Sequence, residues 1–423
     1  MSGHVKWHRD MKSTHTLIAP QMSPIHFRLL EQLFRDIGFK FEIIKKVTPD
    51  AINCGLRCIN NDMCYPAILT AGSVVEETLR RDADNPDQNY AIIMTQTGGG
   101  CRASQYVSAI RLALQKQGRT DIPVVPLAFV PGGDEKWNQL GLKVRDLRHA
   151  LYAILLGDVM MTYLYQTRPY EVNPGESDGL VENISRQLCD IGFNDMDDDI
   201  FMDLVQTISD KFSLVAVHAA PKPKIGIVGE ILLKYHPDAN NNLVDIIESE
   251  DCEAVVTPII DFFLYCSSGP IFQRKLLARP PWQAILTKFL VDFAEKRKTM
   301  INEICGFHWP SIYDLSRKVA ADDDSDEIIS LANSMGEGWL LPAEIVDLIQ
   351  HGCPHVIIAQ PFACLGNHAT GEGTRAPITE RYWHSQILSV NYDPGASATN
   401  QLNRIKLFAH DAKQYHEKHR ATP

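Results

Sequence analysis

The stretch YAIIMTQTGGGCRASQ, residues 90–105, narrows the folds open to this chain more than any other. Tyr90 to Thr95 is a short apolar run rich in isoleucine, the pattern of a buried strand. Gly98, Gly99 and Gly100 then allow a tight turn, because a residue without Cβ meets no steric penalty there. From Ser104 onward apolar residues fall at helical spacing, at Val107, Ile110 and Leu114. Cys101 therefore stands at the mouth of a strand–turn–helix unit, beside backbone N–H groups and a helix N-terminus. That setting is expected to lower the thiol pKa and favour thiolate, the form that binds metal or attacks. The same residues also read as a phosphate-cradling turn with an incidental cysteine.

Earlier in the chain, Thr16 to Ala19 is a first short strand. Ile25 to Ile37 is a helix with Phe27, Leu30, Leu33, Phe34 and Ile37 on one side, stopped by Gly38. Phe39 to Ile44 is a second strand, and strand–helix–strand in that order begins a parallel sheet. Pro66 opens a helix over Ala67 to Leu79, and Val124 to Phe129 adds a strand. A first α/β domain thus spans residues 1–133 and closes near the PGG at 131–133. Residues 134–220 show helices alone: a long apolar one over Val144 to Thr167, then others through Ile184 and from Phe201 to Leu214. We read this part as a helical bridge. The PKPK run at 221–224 marks a boundary. A second α/β domain, 221–423, has strands at Ile225 to Val228, Val255 to Pro258, Val356 to Gln360 and Ile387 to Tyr392. It adds a long helix over Trp282 to Glu303, an acidic surface loop at Ala320 to Asp326, and the closing helix NQLNRIKLFAHDA. The fold class is α/β, with two Rossmann-like or flavodoxin-like parallel-sheet domains and a helical insert.

A net charge of −11 without a basic cluster argues against nucleic acid as the main partner. No apolar run reaches the length of a membrane span and the N-terminus lacks a signal-peptide core, so no membrane partner and a cytoplasmic location are expected. Ten cysteines in 423 residues are too sparse for a disulfide scaffold, and in a reducing compartment they point to metal or redox chemistry.

Two distant segments repeat one design, a buried strand followed by a glycine-containing loop with a cysteine: MTQTGGGCRA around Cys101 and AQPFACLGNH around Cys364. Ligands of open α/β sheets gather at the carboxyl ends of strands, where both thiols fall. Cys64 stands at the start of the helix preceding the Cys101 strand. Three thiolates can hold three irons of a [4Fe-4S] cluster and leave the fourth for another ligand. Cys54 and Cys58 form a CxxxC that becomes CxxxCxxxxxC with Cys64; zinc is the rival there, although the spacing matches no usual ribbon or knuckle. Cys266, in DFFLYCSSG, follows an aromatic run and by itself favours core packing. Cys189 and Cys252 read as small buried hydrophobes, and Cys305 and Cys353 as ligands with little to recommend them. His308 and His368 fit hydrogen-bonded structural roles as well as acid–base or ligand roles. TGGG lacks the lysine and hydroxyl residue of a P-loop, and GIVGE at 226–230 has too few glycines for a dinucleotide fingerprint.

The segments NNDMCYPAILTAG, TQTGGGCRASQYVSAIR, KIGIVGEILLKYHPDANN, DFFLYC, QPFACLGNHATGEGT and NYDPGASATNQLNRIKL resemble the 2-hydroxyacyl-CoA dehydratase-like superfamily. The likeness runs from about residue 16 to 407 and is greatest to the carboxy-terminal, dehydratase-like portion of the CoA-enzyme activase fusion proteins. It implies a pair of α/β domains with a helical region. It also implies an iron–sulfur cluster on Cys64, Cys101 and Cys364 that receives electrons from an ATP-hydrolysing activator. The superfamily includes double-cubane proteins, whose [8Fe-9S] cluster needs six cysteines; Cys54, Cys58 and Cys266, with the DFFLYC segment taken as a strand end, would complete that set. The expected activity is an iron–sulfur reductase acting on a small substrate at a double-cubane cluster. The alternatives are a [4Fe-4S] subunit of a 2-hydroxyacyl-CoA dehydratase, a lyase, and a non-catalytic electron carrier or maturation factor. No nucleotide fingerprint is present, so the ATPase is expected on a separate partner, and a homodimer is expected from family architecture.

Overall fold

The computed structural model describes residues 3–60, 62–85, 87–96, 100–128, 139–274, 280–320 and 327–420. Gly98, Gly99, the PGG boundary and all but Ala320 of the acidic loop lie outside these residues. The first unit runs α1 (Met11–Thr14), β1 (Thr16–Pro20), α2 (Pro24–Asp36), β2 (Lys40–Ile44), α3 (Pro49–Cys58), α4 (Tyr65–Asp84), β3 (Tyr90–Gln96), α5 (Tyr106–Lys116) and β4 (Val124–Ala128). Its four strands are parallel, in the order β2-β1-β3-β4. Successive residues of a strand point to opposite faces, and here both faces are apolar. Ile18, Ile92 and Val124 pack under α4 and α5, whereas Leu17, Ala91, Ile93 and Val125 pack with Phe34 of α2. Helices α3 and α4 touch backbone to backbone: a Cβ on Gly72 would overlap the Ala51 carbonyl oxygen, so only glycine fits.

The bridge is α6 (Val144–Thr167), α7 (Glu176–Ile191) and α8 (Asp198–Ser213). The second unit follows as β5 (Lys224–Gly229), α9 (Ile231–Tyr235), α10 (Leu243–Ser249), β6 (Glu253–Val256), α11 (Ile259–Phe272), α12 (Pro281–Cys305), α13 (Ile312–Val319), α14 (Leu340–Gln350), β7 (His355–Pro361), α15 (Arg375–Arg381), β8 (Gln386–Tyr392) and α16 (Ala398–Arg420). Its strands are again all parallel, in the order β6-β5-β7-β8. Val228, Val356 and Ile358 face α14 on one side, and Ile225, Ile227, Ile357 and Ala359 join the core of the bridge on the other. The two sheets therefore share one topology. Each has its switch point between its first and third strands, β1 and β3 or β5 and β7, where a crevice opens beyond the strand ends.

Asp158, buried in the middle of α6, ties the parts together. Its carboxylate accepts from the backbone N–H groups of Ile259 and Ile260, at 2.7 and 3.1 Å, and so caps α11. It also meets His26 of α2 at 3.1 Å. Removing one partner from a buried charged network of this kind typically costs about 3–5 kcal/mol. That capping explains a departure from the sequence reading: DFFLYC belongs to the helix α11 and not to a strand end. Fourteen residues from Ile259 to Phe272 show little periodicity to choose by, and the cap that decides for helix comes from the bridge.

Candidate functional site

Cys101 follows β3 and Cys364 follows β7, so the two thiols occupy the same topological position in the two sheets. Cys101 caps a 3₁₀ turn, Arg102–Gln105, its sulfur accepting from the Ala103 N–H at 3.5 Å. Cys364 is set by two local irregularities. Ala363 before it has φ 59, in the left-handed region that an alanine adopts only when its surroundings impose it. A π-helical turn, Asn367–Glu372, follows, and such turns cluster at functional sites. Cys64 is the N-cap residue of α4 and is buried, its sulfur 3.5 Å from the Tyr106 hydroxyl. Cys266 lies on α11, partly buried.

The loop between α13 and α14 wedges into this junction. Gly336 and Gly338 take φ +60 and +46, the left-handed conformation that favours glycine, and they hold Glu337 between them. A Cβ on Gly336 would lie 3.8 Å from the Cys101 sulfur and 3.7 Å from the Gly366 Cα, so the two cysteine loops meet at this glycine. Glu337 is buried. Its carboxylate accepts from the Ile231 N–H at 3.1 Å and from the Asn367 amide at 2.6 Å, and the same amide reaches the Cys364 sulfur at 3.4 Å. Glu230, directly after β5, is a second buried carboxylate, accepting from the Leu232 and Leu233 N–H groups at 3.0 and 3.1 Å. Burial raises the pKa of both carboxyls, and the Glu337 charge pushes Glu230 further the same way.

The expectation of a lowered thiol pKa at Cys101 is overturned. Burial pushes it up to about 12, Glu337 adds to the rise, and the Ala103 N–H opposes it only weakly. Desolvation of a charge outweighs one N–H dipole. Cys64 is raised by burial against the help of Tyr106, and Cys364 and Cys266 are raised by burial and then by Glu337. Glu230 and Cys64 both act on Cys101, and Cys101 acts on Cys266 and Cys364. Four thiols and two carboxyls thus share one electrostatic neighbourhood between the sheets.

Cys54 and Cys58 have other neighbours. They lie one turn apart on α3; Cys54 senses Cys58, Glu76, Arg57 and Asp50, and the Cys58 sulfur accepts from the Gln117 amide at 3.4 Å. Cys252 and Cys353 are buried in apolar surroundings, Cys189 packs beside Arg28, and Cys305 closes α12 near Tyr163. His368 is held by Gln360 at 2.8 Å. Glu230, Glu337 and Asn367 escaped the sequence reading. The GEG at 336–338 was the available signal, a charged residue between two turn-forming glycines.

The donor set suits a thiophilic iron cluster. Among the described residues no three cysteine sulfurs come within 4.8 Å of one another. Three thiolates on one zinc stand about 3.8 Å apart, given Zn–S bonds of about 2.3 Å, so the described thiols as placed do not form a closed three-thiolate site for a single ion. The Tyr265 hydroxyl and the Asn367 amide oxygen are buried here without hydrogen-bond partners; a cluster sulfide can accept from the hydroxyl, whereas the amide oxygen needs a donor from elsewhere. No family model and no curated protein matches the sequence. Among the described residues no helix is long and apolar enough to cross a membrane.

Proposed function

We propose that the chain is an iron–sulfur reductase component, with Cys64, Cys101 and Cys364 holding the cluster and Cys266 beside it. The observation that carries this reading is the convergence of Cys101, Cys266 and Cys364 on the Glu337 loop, with Cys64 coupled to Cys101. A cluster held there supplies one-electron chemistry at low potential. The protein's own part is to bury it from water, to offer N–H and amide groups to the sulfurs, and to keep two buried carboxyls of raised pKa nearby as proton carriers. Electrons come from a separate ATP-hydrolysing activator. Phe362 and Leu365, 57% and 58% exposed on either side of buried Cys364, form an apolar contact for that partner close to the sulfur. The substrate is a small molecule; the 2-hydroxyacyl-CoA lyase and the electron carrier are the other uses of the same site.

The double-cubane form rests on Cys54 and Cys58, whose helix ends six residues before Cys64. Self-association finds support in α12, where Trp282, Ile285, Leu286, Phe289 and Leu290 make an exposed apolar stripe at helical spacing. Iron and acid-labile sulfide counted on anaerobically purified protein test the proposal. About four irons identify one cubane and about eight identify two; zinc alone overturns it.

A further inference from the structure

We propose a second metal site, for a single divalent ion of the zinc type, on His308, Asp347 and His351. It is independent of the cysteine junction. His308 lies in the segment after α12, Asp347 in the last turns of α14, and His351 is the residue that ends that helix. One oxygen of Asp347 is 3.4 Å from His308 Nε2 and 3.3 Å from His351 Nδ1. Good N–H···O bonds are shorter, about 2.7–3.2 Å. Two ligand atoms on one tetrahedral zinc, with bonds of about 2.0–2.2 Å, stand about 3.3–3.5 Å apart. The imidazoles are stacked with centroids 3.5 Å apart and planes 28° from parallel, so a shared ion requires the two half-exposed rings to fan apart above the buried carboxylate.

Access and chemistry agree with this spacing. Asp347 is buried while both imidazoles are about half exposed, which puts the anionic ligand at the base and the neutral ligands at the rim. Two imidazoles and a carboxylate are a borderline set that selects zinc, cobalt, nickel or copper over calcium or magnesium. Three protein ligands leave a fourth position for water. Two interactions compete with the ion. Lys318 approaches the same Asp347 oxygen at 3.2 Å, and His351 Nδ1 lies 2.8 Å from the Asp347 carbonyl oxygen. An ion at His351 Nδ1 takes the place of the proton there and displaces the ammonium, so affinity is moderated by both. Binding would clip the segment after α12 to the far end of α14, whose near end carries the Glu337 loop.

Cobalt(II) titration of the full chain tests the site and keeps it apart from the thiols. The expected result is one equivalent of saturable binding with visible d–d absorption and no near-ultraviolet thiolate-to-cobalt band, reversed by zinc. His308→Ala and His351→Ala, both at partly exposed positions, should each weaken binding at least about tenfold, as loss of a direct ligand exceeds the effect of an outer partner. Lys318→Met should strengthen it. Saturable non-thiolate binding that persists unweakened in the histidine variants, or no saturable binding beyond the thiols, overturns the proposal.

Discussion

Two groups of thiols can be compared, the four between the sheets and the two on α3. Both draw on the first unit, and in sequence Cys58 is only six residues from Cys64. Yet Cys64, Cys101, Cys266 and Cys364 act on one another through two buried carboxyls, while Cys54 senses chiefly its own helix neighbour. The difference is one of placement on secondary structure. Cys64, Cys101 and Cys364 stand at a helix start or after a strand end, where the topology of such sheets collects ligands, and Cys266 reaches them from within α11. A pair four apart on one helix face points wherever that helix packs, and α3 packs on α4 and α5.

The largest effect should come from the first group. Cys101→Ala, Cys64→Ala and Cys364→Ala should each remove most of the iron, measured by metal analysis of anaerobic protein. Retention of full iron in any of the three breaks the comparison from the side of the junction. Next comes Glu337→Gln, read in cluster-free protein by denaturant midpoints over a pH series. The folded pKa of Glu337 lies above its unfolded value, so the folded state binds the extra proton. Wild-type stability should therefore fall as pH rises from the ordinary carboxyl range through the raised value. For one proton the slope is at most about 1.4 kcal/mol per pH unit. The amide should flatten that slope; an unchanged slope means that the carboxyl is not protonated on folding.

A smaller change is expected at α12, where Phe289→Asp should shift light scattering towards the monomer without loss of iron. Equal mass for both proteins removes the stripe as a self-association surface. The smallest belongs to the second group of thiols. Serine at both Cys54 and Cys58 should leave the iron count unchanged. Loss of about half would move the pair into the site and establish two cubanes.

The eight strands were legible because each is a short β-branched or apolar run bounded by turn residues. The equivalence of the Cys101 and Cys364 loops could be read for the same reason. The electrostatics could not, since a sequence gives no depth of burial. Cys101 beside N–H groups looked activated, whereas burial reverses the sign and Glu337, more than two hundred residues away, adds to the rise. Likewise nothing local in DFFLYC announces that Asp158 of α6 will cap its helix. His351 passed unnoticed because its pairing with Asp347 on α14 gains meaning only beside His308, which comes from the segment after α12.

Each sheet brings only half of the junction, and the order of synthesis gives that division a direction. Cys64 and Cys101 leave the ribosome long before Glu337 and Cys364 have been made. Until the second sheet docks, Cys101 lacks the Glu337 loop that adjoins it in the finished chain, and Cys64 is left to the first unit's own core. The proposed cluster, bridging both sheets, would belong to the finished chain alone. Because it binds the docked form and not the open one, its insertion would draw the two sheets together by mass action. A protein stripped of iron should accordingly open first along this seam.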